Sequence, residues 1–423
     1  MAVFWRVGVS AAAAAACLTG CGQVQAGAAG GGGWRAVAVP ALRPNSVLND
    51  VAAAGADDAF AVGREGFSAD GKTPGAGVVL RWDGRAWTVA YTGAEGSSLS
   101  AVAVSSPTDV WALGTAGQGP SGTPAGKLLV VHWDGRSWRT VAFPGTTGGA
   151  LTAAGGRAWI TGRPPPGQGN ASLIFGWDGS RWRRFFYPCP GIGLCDLRAV
   201  TARTASDAWA VGQYDAAPWP GMVLYPFVLH WDGLSWRAVP ALYTARGGQH
   251  YHSPGVLQAV ATASGHRAWA IGLTEPAYHP LMFGWDGKRW QQLPWPQTAL
   301  GPARPVPISG QNGSITIPLG GAPLSADQNG QLWLALNNGV YLTYVRFDGQ
   351  HWTATPGPAT DSSDGAFASA LAAIPGTTAT WCVGGIMVGG RRGAFATGRD
   401  PRAHIELSGS INPNPTQVVA DPR

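Results

Sequence analysis

The sequence predicts an all-β fold, a seven-bladed β-propeller of four-stranded blades whose last blade is completed by the N-terminal strand. Two recurring phrases and their count carry that expectation. The first, aromatic-Asp-Gly-x-x-Trp, reads Trp82-Asp83-Gly84-Arg85-Ala86-Trp87 and returns at 133–138, 177–182, 231–236 and 285–290. A sixth copy at 347–352 begins with Phe347. Asp-Gly between aromatic-rich runs is a strong hairpin signal, on the expectation that both turn residues take positive φ. A phrase that returns about every fifty residues marks radial repetition.

The second phrase alternates with the first: a small apolar strand, a short turn, then Asp-x-Trp-Ala-x-Gly. It appears as Leu48-Asn49-Asp50-Val51-Ala52 followed by Asp58-Ala59-Phe60-Ala61-Val62-Gly63. Further copies pair 99–104 with 109–114, and 197–201 with 207–212. Arg157-Ala158-Trp159, Arg267-Ala268-Trp269, Gln331-Leu332-Trp333 and Thr380-Trp381 keep the aromatic and lose the Asp.

One unit therefore reads as four strands. Strand A is short and Ala-rich, as a crowded position near a central axis requires. Strand B carries Trp-Ala-x-Gly, strand C ends in Trp-Asp-Gly, and strand D starts at the second Trp. Alternation along B, C and D places aromatics on the faces between neighbouring sheets. Strand B cores number seven: Phe60, Trp111, Trp159, Trp209, Trp269, Trp333 and Trp381. Strand D starts also number seven once Trp34 is included, because 34–40 resembles 236–240 yet has no strand C before it. The seventh unit has strand A at 369–374 and a weak strand C at 393–397, and lacks Asp-Gly-x-x-Trp. The N-terminal strand can fill that vacancy, and a closed ring leaves no blade edge open to aggregation. Eight blades, using the insertion at 297–325, is the alternative.

Composition agrees. Charged residues are 12% of 423, while Gly, Pro and Trp number 63, 33 and 21, a turn-rich β profile. The net charge of +6 is spread along the chain without a basic, aromatic-interleaved run, so no nucleic-acid partner is expected.

The N-terminus predicts an address. Arg6 precedes a small apolar stretch at 7–17 and then Leu18-Thr19-Gly20-Cys21, a signal peptide too short to span a bilayer. This ending resembles the bacterial lipobox, and the resemblance implies that Cys21 carries the lipid and becomes the mature N-terminus. The expected organisation is a lipoprotein signal peptide at 1–20, a Gly-rich tether at 21–33, the propeller at 34–400 and a tail at 401–423. The body is expected to be a monomer anchored by lipid at the extracytoplasmic face of the cell membrane. In an oxidising compartment, Cys189 and Cys195 in a short Gly/Pro loop read as a disulfide, and Cys382 as a buried thiol.

The repeat resembles those of secreted bacterial propellers of the Asp-box and kelch-like kind, sialidase-like or galactose-oxidase-like. The match is one of logic, because here the Gly follows Asp directly. Sialidases of this kind need an arginine triad, a Tyr with an adjacent Glu and an acidic Asp. No Glu recurs beside a Tyr here. A galactose-oxidase-like copper site needs Tyr, Cys and two His, and Cys382 has no such neighbours in sequence. No nucleophile-elbow, zinc-protease, P-loop or dinucleotide motif is present. No catalytic residue is assigned and no cofactor is expected.

Propeller geometry still ranks the surfaces. The A–B and C–D turns share one face and are short. The B–C and D–A connections share the other and are long and irregular, which is where a rigid scaffold usually carries binding. The richest sector there falls at the fourth and fifth blades: Tyr214, Asp215 and Trp219, then His250, Tyr251 and His252, then Glu275, Tyr278 and His279. His250, His252 and His279 with a carboxylate could ligate a metal. The same residues could form a stacking platform for a glycan or peptide. On the opposite rim, Arg85, Arg136, Arg181, Lys288 and Arg289 could meet anionic lipid or polymer, or simply be solvated turn charges. The expected function is a non-catalytic scaffold for a protein or glycan partner. The alternative is a propeller hydrolase or lyase acting on extracellular or cell-wall glycans.

Overall fold

The computed structural model describes residues 34–68, 72–117, 126–145, 148–163, 171–190, 195–215, 223–239, 243–246, 249–252, 254–263, 267–274, 280–293, 323–337, 342–356, 366–388 and 391–399. They form seven four-stranded antiparallel sheets and one two-stranded hairpin, Tyr243–Arg246 with Gln249–His252. Six sheets are continuous in the chain, at 47–95, 98–140, 151–188, 195–238, 255–292 and 324–356. The seventh joins Ala366–Ala373, Thr380–Val388 and Arg391–Arg399 to the N-terminal strand Arg35–Val37. Strand A of each sheet packs on strand A of the next, and strand A of the seventh returns to that of the first. The fold is a β-propeller. The 297–325 insertion falls largely outside the described residues.

The Asp-Gly turns form for a reason that differs in part from expectation. Trp82 pairs directly with Trp87, which leaves a four-residue loop between them. Asp83 Oδ1 accepts the backbone N–H groups of Arg85 and Ala86, both at 2.9 Å. Only Gly84 takes a positive φ, at 89°. The Asp is therefore a side-chain cap that never needs the left-handed region. The same two bonds recur at Asp134, Asp178, Asp232, Asp286 and Asp348. Donors aimed at the ionised form hold these carboxyls below their ordinary value. At Asp83 the Ala86 N–H leads, followed by that of Arg85.

The two Trp residues of each turn do different work. In three blades the first ties the C–D turn to the A–B turn: Trp82, Trp133 and Trp231 donate their indole N–H to the carbonyls of Ala56, Pro107 and Ala205. The second is inserted between blades. Trp87, Trp138, Trp182, Trp236, Trp290 and Trp352 bury their indole nitrogens with no hydrogen-bond partner, so these rings act as apolar filler.

The strand B aromatic of one blade nests against the Trp pair of the next. Trp111 lies 5.1 and 5.3 Å from Trp177 and Trp182, and Trp209 the same distances from Trp285 and Trp290. Trp381 of the last blade meets Trp82 and Trp87 of the first at 5.1 and 5.2 Å, so the closing seam repeats the ordinary one. Trp34 takes the place of the missing strand D Trp, 5.8 Å edge-on from Trp333 and stacked on Tyr344 at 3.7 Å. The buried residues divide into seven clusters, one at each seam.

Strand B and strand C are also matched in charge. Where B starts with Asp, the residue before the C-strand Trp is its partner. Arg81 grips Asp58 at 3.0 and 2.9 Å, and His132 and His230 meet Asp109 and Asp207 at 2.7 and 2.9 Å. Where B starts with Arg157 or Arg267, the residue before the C-strand Trp is glycine, Gly176 or Gly284. Burial pushes the Asp109 carboxyl up, yet hydrogen bonds from His132, Ser105 and Trp111 outweigh it and leave it lowered.

Candidate functional site

The glycine that ends Asp-x-Trp-Ala-x-Gly makes room for a bulge in strand A. A Cβ on Gly212 would run into the Asp196 carbonyl oxygen. Gly63, Gly114 and Gly272 face the carbonyls of Val47, Ser98 and Val256 in the same way. Just beyond each contact, strand A carries one extra residue: Asn49, Ser100, Arg198 and Gln258. The seventh blade bulges likewise at Ser369. All five are polar in strands that are otherwise Ala- and Val-rich. Bulges re-aim side chains and gather near functional sites.

These strands surround an axial channel of about 630 Å³, walled by all seven inner strands. Each strand A ends its sheet, so its free edge faces the axis. Side chains from one blade cap edge N–H groups of the next. Val102 donates to Asp50 Oδ2 at 2.8 Å, Ala202 to Thr152 Oγ1 at 3.0 Å, and Ala373 to Ser325 Oγ at 2.7 Å. A hydroxyl performs this role at two seams and a carboxylate at one. Burial of the Asp50 carboxyl raises its pKa to about 7, against the opposing hydrogen bonds from the Val102 and Val51 N–H groups.

Two of the bulge residues, Arg198 and Gln258, line the channel from adjacent blades. Asn49 and Ser100 instead donate to the backbone carbonyls of Leu99 and Leu113. Arg198 Nε donates to Gln213 Oε1 at 2.9 Å, and its Nη2 lies 3.5 Å from Asp196. Asp196 is already gripped by Arg163 at 2.9 Å on each oxygen. Two guanidinium groups thus share one carboxylate at the rim of the fourth blade. Behind them lies an aromatic cluster, with Tyr214 stacked on Tyr225 at 5.7 Å and Tyr187 and Tyr214 at 5.8 and 6.2 Å from Phe227. The Cys189–Cys195 disulfide closes the loop beside it, and Cys195 is Tyr214's strand partner. Cys382 is a buried thiol outside the disulfide.

The structure places Tyr214 and Asp215 at the loop end of strand B in the fourth blade, Asp207–Asp215. His250, Tyr251 and His252 lie on the second strand of the extra hairpin, within the connection between the fourth and fifth blades. Trp219, Glu275, Tyr278 and His279 lie outside the described residues, as does Cys21. Among the described residues no group of three or more His, Cys, Asp or Glu side chains could hold a metal. Arg163, Asp196, Arg198, Gln213 and Gln258 were not singled out from the sequence. For Arg198 and Gln258 the signal was the repeated Leu-polar-Asp/Ala-Val of strand A, one polar residue in an apolar run.

No known family matches the chain, and no curated protein matches it in sequence. Solved structures do match in fold. YCF48 bound to D1 peptide has a TM-score of 0.48 at 14% identity, over 86% of this chain and 96% of that one. The β-propeller domain of the Trilobed protease from Pyrococcus furiosus has 0.48 at 11%, over 83% and 95%. The GH74 xyloglucanase from Xanthomonas campestris has 0.49 at 18%, over 83% of this chain and 53% of that one. At such identities the likeness is one of fold alone.

Proposed function

We propose that the chain is a non-catalytic binding scaffold that takes a protein or glycan partner on the face of its B–C and D–A connections. A lipid on Cys21 and the Gly-rich tether would hold it at the extracytoplasmic side of a cell membrane. The supporting observation is the asymmetry of the two faces. On one, six Asp-Gly turns repeat the same hydrogen bonds and glycine geometry. On the other, the blades differ from one another, and the fourth gathers Arg163, Asp196, Arg198, Tyr214 and a disulfide around the channel mouth. Function is expected where a repeat is broken.

The competing reading, a hydrolase or lyase acting on glycans, has Asp50 in its favour, a channel carboxyl with a raised pKa. Glycoside hydrolysis generally needs two placed carboxylates. The other carboxylate lining the channel among the described residues, Asp327, is spent on its own turn, accepting the N–H groups of Asn329 and Gln331. A glycan array and a pull-down with the full-length protein test the proposal, with Tyr214→Ala and Trp219→Ala as loop-face variants. Capture of a partner that these variants lose, with Asp50→Asn binding as the parent does and no glycan cleaved, supports the scaffold. Cleavage that Asp50→Asn abolishes would establish the enzyme instead.

A further inference from the structure

Arg198 and Gln258 stand out among the five bulge residues because both line the axial channel. In these two neighbouring blades the bulge delivers a long polar side chain to it. Packing does not explain the choice, since the first two blades use short side chains at the same position to satisfy backbone carbonyls. The Arg198 side chain keeps 27% of its surface exposed. Its Nε is held by Gln213 and its Nη2 faces Asp196, contacts that orient the guanidinium and leave Nη1 as a donor. Asp196 is shared between Arg198 and Arg163.

Gln258 supplies the complementary need. Its Oε1 is buried with no hydrogen-bond partner, and an unsatisfied buried acceptor costs folding free energy. A side-chain rotation toward the channel would let a ligand donor remove that cost. The hydroxyls of Thr201 and Thr262 lie deeper on the same two strands, 3.4 Å apart, and both residues line the channel. The wall between the fourth and fifth blades therefore offers, from the rim inward, a cation, an acceptor and two hydroxyls. At about 630 Å³ the channel falls within the usual range of small-ligand sites.

We propose that this wall is a subsite for a hydroxylated carboxylate, the chemistry shared by the uronic acid end of a glycan and a free hydroxy acid. Arg198 pairs with the carboxylate and Gln258 Oε1 accepts a neighbouring hydroxyl. The inference rests on the binding reading of the loop face and gives it a ligand class.

Calorimetric titration of the full-length protein tests it, using glucuronate, glucose, glycerate and acetate as probes. Saturable binding of glucuronate is expected, with glucose and acetate weaker by roughly tenfold or more, the loss of one charge-assisted or acceptor contact. Glycerate binding as well as glucuronate indicates a free acid as the source, and glycerate falling below glucuronate indicates a sugar. Arg198→Gln should abolish the preference of glucuronate over glucose. Gln258→Met should weaken glucuronate and leave acetate unchanged, and it decides the matter if Arg198→Gln does not fold. Failure of both acids to bind, or equal binding by folded Arg198→Gln, overturns the subsite. Partner capture that survives in Arg198→Gln and is lost in Tyr214→Ala would leave the scaffold reading standing without it.

Discussion

The two faces of the ring are built from the same strands and differ in what varies. On the turn face, an Asp caps the same two N–H groups six times and a Gly takes a positive φ six times, between 86° and 106°. Toward the loop face, the bulge position of five of the seven blades holds Asn49, Ser100, Arg198, Gln258 and Ser369. Identity repeated six times is what packing requires. A position that is always polar, yet changes in size and charge from blade to blade, is free to serve a ligand.

That contrast can be broken in graded steps. The largest expected effect is at a seam. Trp111 is fully buried, and its indole N–H donates to Asp109 at 2.9 Å. Trp111→Ala should cost about 3–5 kcal/mol of stability by chemical denaturation, without altering ligand affinity in the fraction that stays folded. Next comes the glycine that permits a bulge. Gly212→Ala presses a methyl against the Asp196 carbonyl and should cost about 1–3 kcal/mol. Because it also shifts Arg198, it should weaken binding of any axial ligand, which Trp111→Ala should not do. A calorimetric comparison of the two variants separates a packing role from a positioning role.

Asp50 sharpens the contrast through pH. Its folded pKa, about 7, lies above the ordinary carboxyl value, so between those values the folded chain holds a proton that the unfolded chain has released. Stability should therefore fall as pH rises from about 4 to about 7 and level off above. Asp50→Asn should flatten that slope in denaturation curves taken across the range, and an unchanged slope would count against the assignment. Turn-face carboxyls work in the opposite direction. Asp109, held low by His132 and its other donors against the effect of burial, contributes stability that is lost as pH falls through its folded value. The smallest effect belongs to Gly179, where a Cβ meets nothing and only the φ of 96° resists substitution. Gly179→Ala should cost about 1 kcal/mol in the same denaturation assay and leave binding untouched.

The fold was legible because its determinants are local and repeated. Asp-Gly-x-x-Trp places a cap, a left-handed residue and an interblade ring within six positions, and Trp34 announced its role by resembling the start of strand D. The mechanism of the turn was only half legible. The hairpin rule for Asp-Gly predicts positive φ at both residues, and in this four-residue loop only the Gly takes it. The site was less legible still. Tyr214 was found because aromatic loop residues draw attention, whereas Arg198 and Gln258 sit inside strands that read as plain repeat. Strand alternation predicts two faces and has no place for a bulge, which a non-local contact between Gly212 and Asp196 makes possible.

Paired capture experiments decide whether one face is scaffold and the other binds. The full-length protein is compared with Tyr214→Ala and Arg198→Gln on the loop face, and with Arg136→Ala and Arg289→Ala on the turn face, each checked for an unchanged circular dichroism spectrum. Loss of the captured partner in the loop-face variants, with the turn-face variants retaining it, is the predicted result. Retention in the loop-face variants and loss in the turn-face pair would contradict it.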